Sequence, residues 1–228
     1  MRTVTLILLS VLLFASCASY KQVDQQTFDT APLFGMIYDE DNQPCAGVQL
    51  TVDGTAGPVT DIRGRFVVPD LPRGDHGIVA RKEKYEDLAL SISFLNRTDV
   101  LHLTMTSFGQ LLGSAQKSIS DMRWSEAGGY LERAERLDGE DAVLRFLFAI
   151  VAWKTADFPR AVNYLTAILA AGTPQPAVYL FLADIYQNDL DDPAKAIASL
   201  ESYLRLRADP ETAKRLGQLK DGQAKRGG

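Results

Sequence analysis

Histidine and cysteine are the side chains that most often hold metals or act as nucleophiles near neutral pH, and this chain of 228 residues carries two of each. His76 and His102 both fall in segments that read as β-strands. His102 alternates with Leu101 and Leu103, as an ordinary strand residue does. No His-Glu-x-x-His or Cys-x-x-Cys spacing is present, so a zinc site is not expected. No Gly-x-Ser-x-Gly elbow and no phosphate-cradling glycine loop occurs. Asp189, Asp191 and Asp192 gather carboxylates before Pro193, but their number and spacing fall short of a calcium loop; they read as solvated groups at a helix start. The expectation is a protein that is not an enzyme and holds neither metal nor cofactor.

Cys17 is placed for a different chemistry, acylation of its thiol. An apolar run over residues 4–14 follows Arg2 and leads through Ala15-Ser16 into the cysteine. The run is shorter than the about 20 residues that span a bilayer, and has the length of a secretory apolar core. Small residues leading into a cysteine resemble the bacterial lipobox, whose cysteine is lipidated and becomes the mature N-terminus. The resemblance implies a signal peptide over 1–16, palmitate-type acylation at Cys17 and a lipidated tether over 17–32. Gln22, Asp24, Gln25 and Gln26 make that tether polar and aperiodic. Several acyl chains, at ~0.8 kcal/mol per buried CH₂, would hold such a protein on a membrane. Ala18 stands where many lipoproteins kept at the inner membrane have Asp, which favours the outer membrane. Two alternatives stay open: ordinary secretion, in which Cys17 leaves with the signal peptide, and an uncleaved anchor. With Cys17 lipidated, Cys45 has no partner and no disulfide forms.

The net charge of −5 argues against nucleic acid as a partner, because phosphate binding wants a basic face. The basic stretch at 220–226 lies among glycines and reads as a frayed terminus. With 46% hydrophobic residues, the chain has enough apolar material for one or two cores.

From residue 33 to about 106 the pattern is that of short strands, over 33–38, 47–52, 65–68, 77–81, 88–94 and 100–105. Turn residues separate them, among them Asp53-Gly54, Gly64 and Pro72-Arg73-Gly74. About seven strands in this length imply a small antiparallel sandwich. The run Gly35-Met36-Ile37-Tyr38-Asp39, then Pro44-Cys45-Ala46-Gly47-Val48, Thr60 to Phe66, Leu71-Pro72-Arg73-Gly74 and Lys82-Glu83-Lys84-Tyr85 resembles the carboxypeptidase regulatory-like domain, a transthyretin-like β-sandwich. Lys84 stands where that family often has Gly. The resemblance implies a spacer, stability module or binding surface, with no peptidase activity.

Beyond residue 107 the period changes. Ala127, Ala161 and Ala196 are 34 and 35 residues apart, and their surroundings repeat: Trp124-Ser125-Glu126, Phe158-Pro159-Arg160, Pro193-Ala194-Lys195. A fixed period of this length means stacked helix–turn–helix units, each needing a small residue where its helices press together. Residues 108–209 resemble three tetratricopeptide (TPR) repeats. The third is the strongest match, with Tyr179, Leu182, Ala183 and Tyr186 followed by Ala196, Leu200 and Leu206; the first is the weakest, with Gly128-Gly129 inside a helix. A seventh helix over 211–220 reads as a polar cap, so that 210–228 is cap and flexible tail. In this family the first helix of each unit lines a concave groove. Carried over, that face holds Gln116 and Ile119, then Phe146, Ile150, Trp153 and Lys154, then Leu180, Asp184, Gln187 and Asn188. Phe146, Ile150 and Trp153 share one helical face. They read either as packing against the β half or the cap, or as an aromatic anchor for a partner peptide.

The expected architecture is therefore a multidomain α and β chain: a β-sandwich over 33–106, three TPR units over 108–209 and a cap. The expected role is that of an envelope adaptor or scaffold, joined to a membrane by lipid and to an envelope protein or peptide by the groove. Glycan or peptide binding by the sandwich is the first alternative. Service as an accessory subunit of an envelope enzyme or transporter is the second.

Overall fold

The computed structural model describes residues 29–172 and 175–227. Cys17, the expected signal peptide and most of the expected tether lie outside them. The described residues form seven strands followed by seven helices. The strands are β1 (Thr30–Asp39), β2 (Gln49–Val52), β3 (Thr55–Val59), β4 (Arg65–Pro72), β5 (Gly74–Arg81), β6 (Leu88–Phe94) and β7 (Val100–Met105). They make two sheets, ordered β4-β1-β7 and β3-β2-β5-β6. Both sheets contribute to one core, in which Leu33, Ile37, Leu50, Phe66, Ile78, Phe94 and Met105 are buried.

Three features depart from the expected all-antiparallel pattern. β7 pairs with β1 in parallel, from Phe34 opposite Val100 to Asp39 opposite Met105. A parallel pair needs a long crossover, and the chain between β1 and β7, including the whole second sheet, supplies it. β1 begins at Thr30 rather than at 33, although it contains Pro32. Pro32 has no N–H for the ladder; pairing with β4 shifts register between Ala31 and Leu33, and pairing with β7 starts only at Phe34. β3 is an extra strand, an edge hairpin partner of β2 across Asp53-Gly54, and its Gly57 and Pro58 hide it from a propensity reading.

Gly64 is required by geometry as well as by conformation. Its φ is +72°, and a Cβ there would lie 2.4 Å from the Ile37 carbonyl oxygen. That approach lets Ile37 N–H bond the Gly64 carbonyl at 2.8 Å and seats the turn from which Phe66 enters the core.

The helices are α1 (Phe108–Ser120), α2 (Trp124–Asp138), α3 (Ala142–Lys154), α4 (Phe158–Ala170), α5 (Pro176–Asp184), α6 (Pro193–Leu206) and α7 (Pro210–Gly227). They pack as hairpins, α1 with α2, α3 with α4 and α5 with α6, and α7 covers α6. Ser107 opens α1 in a reciprocal cap with Gln110. Asp141, Asp157 and Asp192 cap α3, α4 and α6 through backbone amides. Gly128 and Gly129 do not interrupt α2, which runs through both. α7 extends past the expected end at 220, and the basic stretch expected to fray is helical, with Lys220 paired to Glu201 at 2.7 Å.

Each hairpin turns on a residue in the left-handed region: Met122, Ala156 and Asp191, with φ of 57°, 61° and 45°. These positions repeat the spacing of 34 and 35, five residues ahead of the three alanines. In the first two turns an amide bonds back five residues, Arg123 to Ser118 and Asp157 to Ala152, both at 2.8 Å. In the third, Asp192 bonds back six, to Tyr186, at 2.8 Å. The extra residue is taken up by a π turn, Ile185–Asp189, which continues α5. The longer second period thus has a local cause.

The two halves are joined by short polar contacts at one end. Glu86 N–H bonds the Thr106 carbonyl at 2.9 Å, and Phe108 N–H bonds the Lys84 carbonyl at 2.8 Å. Arg133 of α2 grips Glu86 with two bonds of 2.9 and 2.5 Å, and Lys84 pairs with Asp138. Gln110 donates to Asp41 at 2.7 Å. The Arg133 guanidinium holds the Glu86 carboxyl below its usual range, and the Lys84 ammonium does the same for Asp138.

His76 is structural. Its ring is buried, with Nδ1 2.6 Å from Asp53 Oδ2 and Nε2 2.8 Å from the Pro72 carbonyl oxygen. Both neighbours are acceptors, so the arrangement is complete only when both nitrogens carry protons. The hydrogen bond to Asp53 raises the His76 pKa above its ordinary value, against burial, which lowers it. A raised folded pKa means the stabilisation is complete below the unfolded value of about 6.5 and is lost as pH rises through the folded value. NMR titration of the His76 ring is expected to give a midpoint above 6.5. His76→Gln is expected to remove the corresponding fall in stability on the alkaline side; an unchanged profile would contradict the assignment.

Candidate functional site

The first helices of the three hairpins, α1, α3 and α5, lie in succession, and their side chains build the candidate interaction face. Caps and hairpin turns set the helix ends, and two buried clusters set their spacing. Leu111, Leu131, Leu144 and Phe148 fill the space between α1, α2 and α3; Ala152, Leu165, Val178 and Leu182 fill that between α3, α4 and α5. Tyr164 joins the clusters by stacking on Phe148 at 4.9 Å.

On this frame the ten residues expected at the groove divide into three groups. Gln116, Lys154 and Asn188 are exposed. Ile119, Phe146, Ile150, Trp153 and Leu180 are half-buried. Asp184 and Gln187 are held by the cap: Arg215 of α7 pairs with Asp184 at 2.7 Å and donates to Gln187 Oε1 at 2.9 and 2.6 Å. The stripe Phe146–Ile150–Trp153 does not act as a unit. Ile150 leans on the first cluster, whereas Phe146 and Trp153 lean on the second.

Phe146 and Trp153 meet Phe181 of α5 edge to face, with centroids 5.9 and 5.3 Å away. Trp153 Nε1–H donates to Asp189 at 2.9 Å, and the Lys154 ammonium sits 4.1 Å above the indole. Phe181, Asp189 and Arg215 are functional neighbours that the repeat pattern passes over. Phe181 lies between signature positions. Asp189 reads from sequence as a solvated turn carboxylate, and Arg215 belongs to a helix assigned only a capping role. The π turn carries Gln187, Asn188 and Asp189, so the one-residue insertion falls within the face itself.

The arrangement offers apolar and polar contacts side by side. Among the described residues no group of three or more His, Cys, Asp or Glu could hold a metal. Cys45 is a buried free thiol, and burial pushes its pKa up, away from the reactive thiolate. No helix among the described residues is long and apolar enough to cross a membrane.

No family model matches this sequence. No curated protein matches it. Among solved structures, the chain is similar to the N-terminal domain of stress-induced protein-1 (STI-1) from C. elegans, with TM-score 0.45 and 15% identity over 50% of this chain and 94% of that one. It is also similar to the Arabidopsis OM64 TPR domain, with TM-score 0.46 and 18% identity over 50% of this chain and 95% of that one. A third is the Yersinia enterocolitica type III secretion chaperone SycD in complex with a peptide of the translocator YopD, with TM-score 0.46 and 14% identity over 53% and 94% of the two chains.

Trp153 works within the protein before any partner arrives. An edge-to-face pair contributes ~0.5–1.5 kcal/mol and a hydrogen bond ~1 kcal/mol. Trp153→Ala is therefore expected to lower the unfolding free energy by about 2 kcal/mol or more. Thermal melting checks this, and an unshifted melting temperature would show that the indole is idle in the free protein.

Proposed function

We propose that the chain is a noncatalytic envelope lipoprotein, acylated at Cys17, that docks a protein or peptide on the first helices of three TPR units. In this reading residues 33–106 form a carboxypeptidase regulatory-like sandwich, a spacer between lipid and repeats. The outer membrane is the favoured location. The observation that carries the docking role is the mixed character of the α1–α3–α5 face. Half-buried aromatic and aliphatic side chains lie beside the exposed polar ends of Gln116, Lys154 and Asn188, the composition of an interface centre and rim. The β half supports the reading by where it attaches. Its contacts fall on Ser107, Phe108, Gln110, Arg133 and Asp138; of these only Phe108, at the start of α1, shares the helical face of Ile119, and none is among the ten expected groove residues.

Two measurements test the two parts. Intact mass of the mature protein is expected to show acyl chains on a chain starting at Cys17, and Cys17→Ser is expected to release the protein from membranes. A mature mass without acyl groups would remove the anchor. For docking, a photocrosslinking amino acid at Lys154 or Asn188 is expected to capture one partner in intact envelopes, while the same probe at exposed Asn163 on α4 does not. Equal capture at all three positions would contradict a docking face on the first helices.

A further inference from the structure

Around Phe34 the outward face of the β4-β1-β7 sheet is apolar where water-facing strand positions are ordinarily polar; the next row, at Met36, has Arg65 and His102 on either side. Phe34 on β1 is the register partner of both Val67 on β4 and Val100 on β7, so the three side chains form a row across the sheet. They are 46%, 39% and 44% exposed. Met36 extends the row along β1, and Val59, at the end of β3, borders it. Together they line an open depression of about 540 Å³. The turn into β4 adds Ile62, 85% exposed. At the rim Arg65 is paired with Asp61 at 2.8 Å, and His102 stands opposite Met36. A partner recognised by charge gains little here; an apolar one gains the removal of this row from water.

The position of the preceding chain selects the occupant. Asp29 leads directly into β1, five residues before Phe34, and Cys17 lies twelve residues before Asp29. Twelve residues reach at most about 40 Å. The helices leave from the opposite end of the parallel pair, beyond Asp39 and Met105. A lipid on Cys17 is therefore attached through the end of the molecule at which β1 starts, the end away from the helices, and Phe34 lies well within its reach.

Resting on the lipid-anchor reading above, we propose that this sheet face lies on the same bilayer. Phe34, Met36, Val67 and Val100 enter the boundary between headgroups and acyl chains. The anchor limits distance, and the face fixes orientation. Because the contact is apolar, it holds at low and high salt alike.

The test uses the full lipidated protein in phosphatidylcholine vesicles made with or without brominated acyl chains. Both native tryptophans, Trp124 and Trp153, belong to the helical half, so Phe34→Trp places a single reporter in the β half. Brominated lipid is expected to abolish the emission that Phe34→Trp adds, while wild-type emission stays unchanged. Acylated protein whose added emission survives overturns the membrane face and leaves the anchor standing. Protein without acyl mass on Cys17 overturns both. Surviving emission together with a dimer that Phe34→Asp dissociates assigns the face to a second copy of the chain, and overturns the bilayer as occupant.

Discussion

Each helical hairpin buries an alanine near the start of its second helix, where a small residue lets the two helices approach. Ala127, Ala161 and Ala196 are all 0% exposed. A larger side chain at such a point forces helices apart, at about 1–3 kcal/mol for overpacking. Five residues ahead of each, a left-handed residue reverses the chain, so turn and crossing form one unit. The third unit shows which element is the stiffer. It contains one residue more than the second, and the chain absorbs the surplus in a π turn rather than shifting the alanine off the crossing. The insertion thus alters the exposed end of α5, where Asn188 and Asp189 lie, and leaves the packing intact.

The junction between the halves is built from the same kind of local compromise. Lys84 holds φ of 63°, a conformation that costs a non-glycine residue roughly 1 kcal/mol. There its carbonyl accepts from Phe108 and its ammonium reaches Asp138, so the lysine joins strand region to helices in two ways. Neighbouring Glu86 does the same with Thr106 and Arg133. Both carboxylates of these pairs have lowered pKa values, so the coupling is present above the ordinary carboxylate range and weakens as pH falls through it. The β half is joined to the helices by charge and backbone bonds at one end, where it meets the start of α1 and the residues Arg133 and Asp138 of α2.

Much of this was legible in the sequence because it is periodic. The 34–35 spacing located the hairpins, and the carboxylates before Pro193 marked a helix start. What escaped the sequence is of two kinds. Long-range choices, such as β7 lying parallel to β1 or Arg215 reaching Asp184 and Gln187, depend on which elements meet, and local pattern does not carry that. Locally atypical segments escaped as well: β3 carries Gly57 and Pro58, and the π turn has an ordinary helical composition. The groove assignment suffered from the first kind. A helical stripe of Phe146, Ile150 and Trp153 is real on α3, but neighbours on both sides divide it between two clusters.

In the proposed reading, a membrane-proximal β half and an outward helical face divide the work, so that position and recognition use different surfaces. Hydrogen–deuterium exchange of the full chain, free and with its captured partner, tests that division most directly. The account predicts slowed exchange on partner binding in α3 and in α5 with its π turn, with the strands unchanged. Protection confined to β1–β7, with α3 and α5 exchanging as in the free protein, would contradict it.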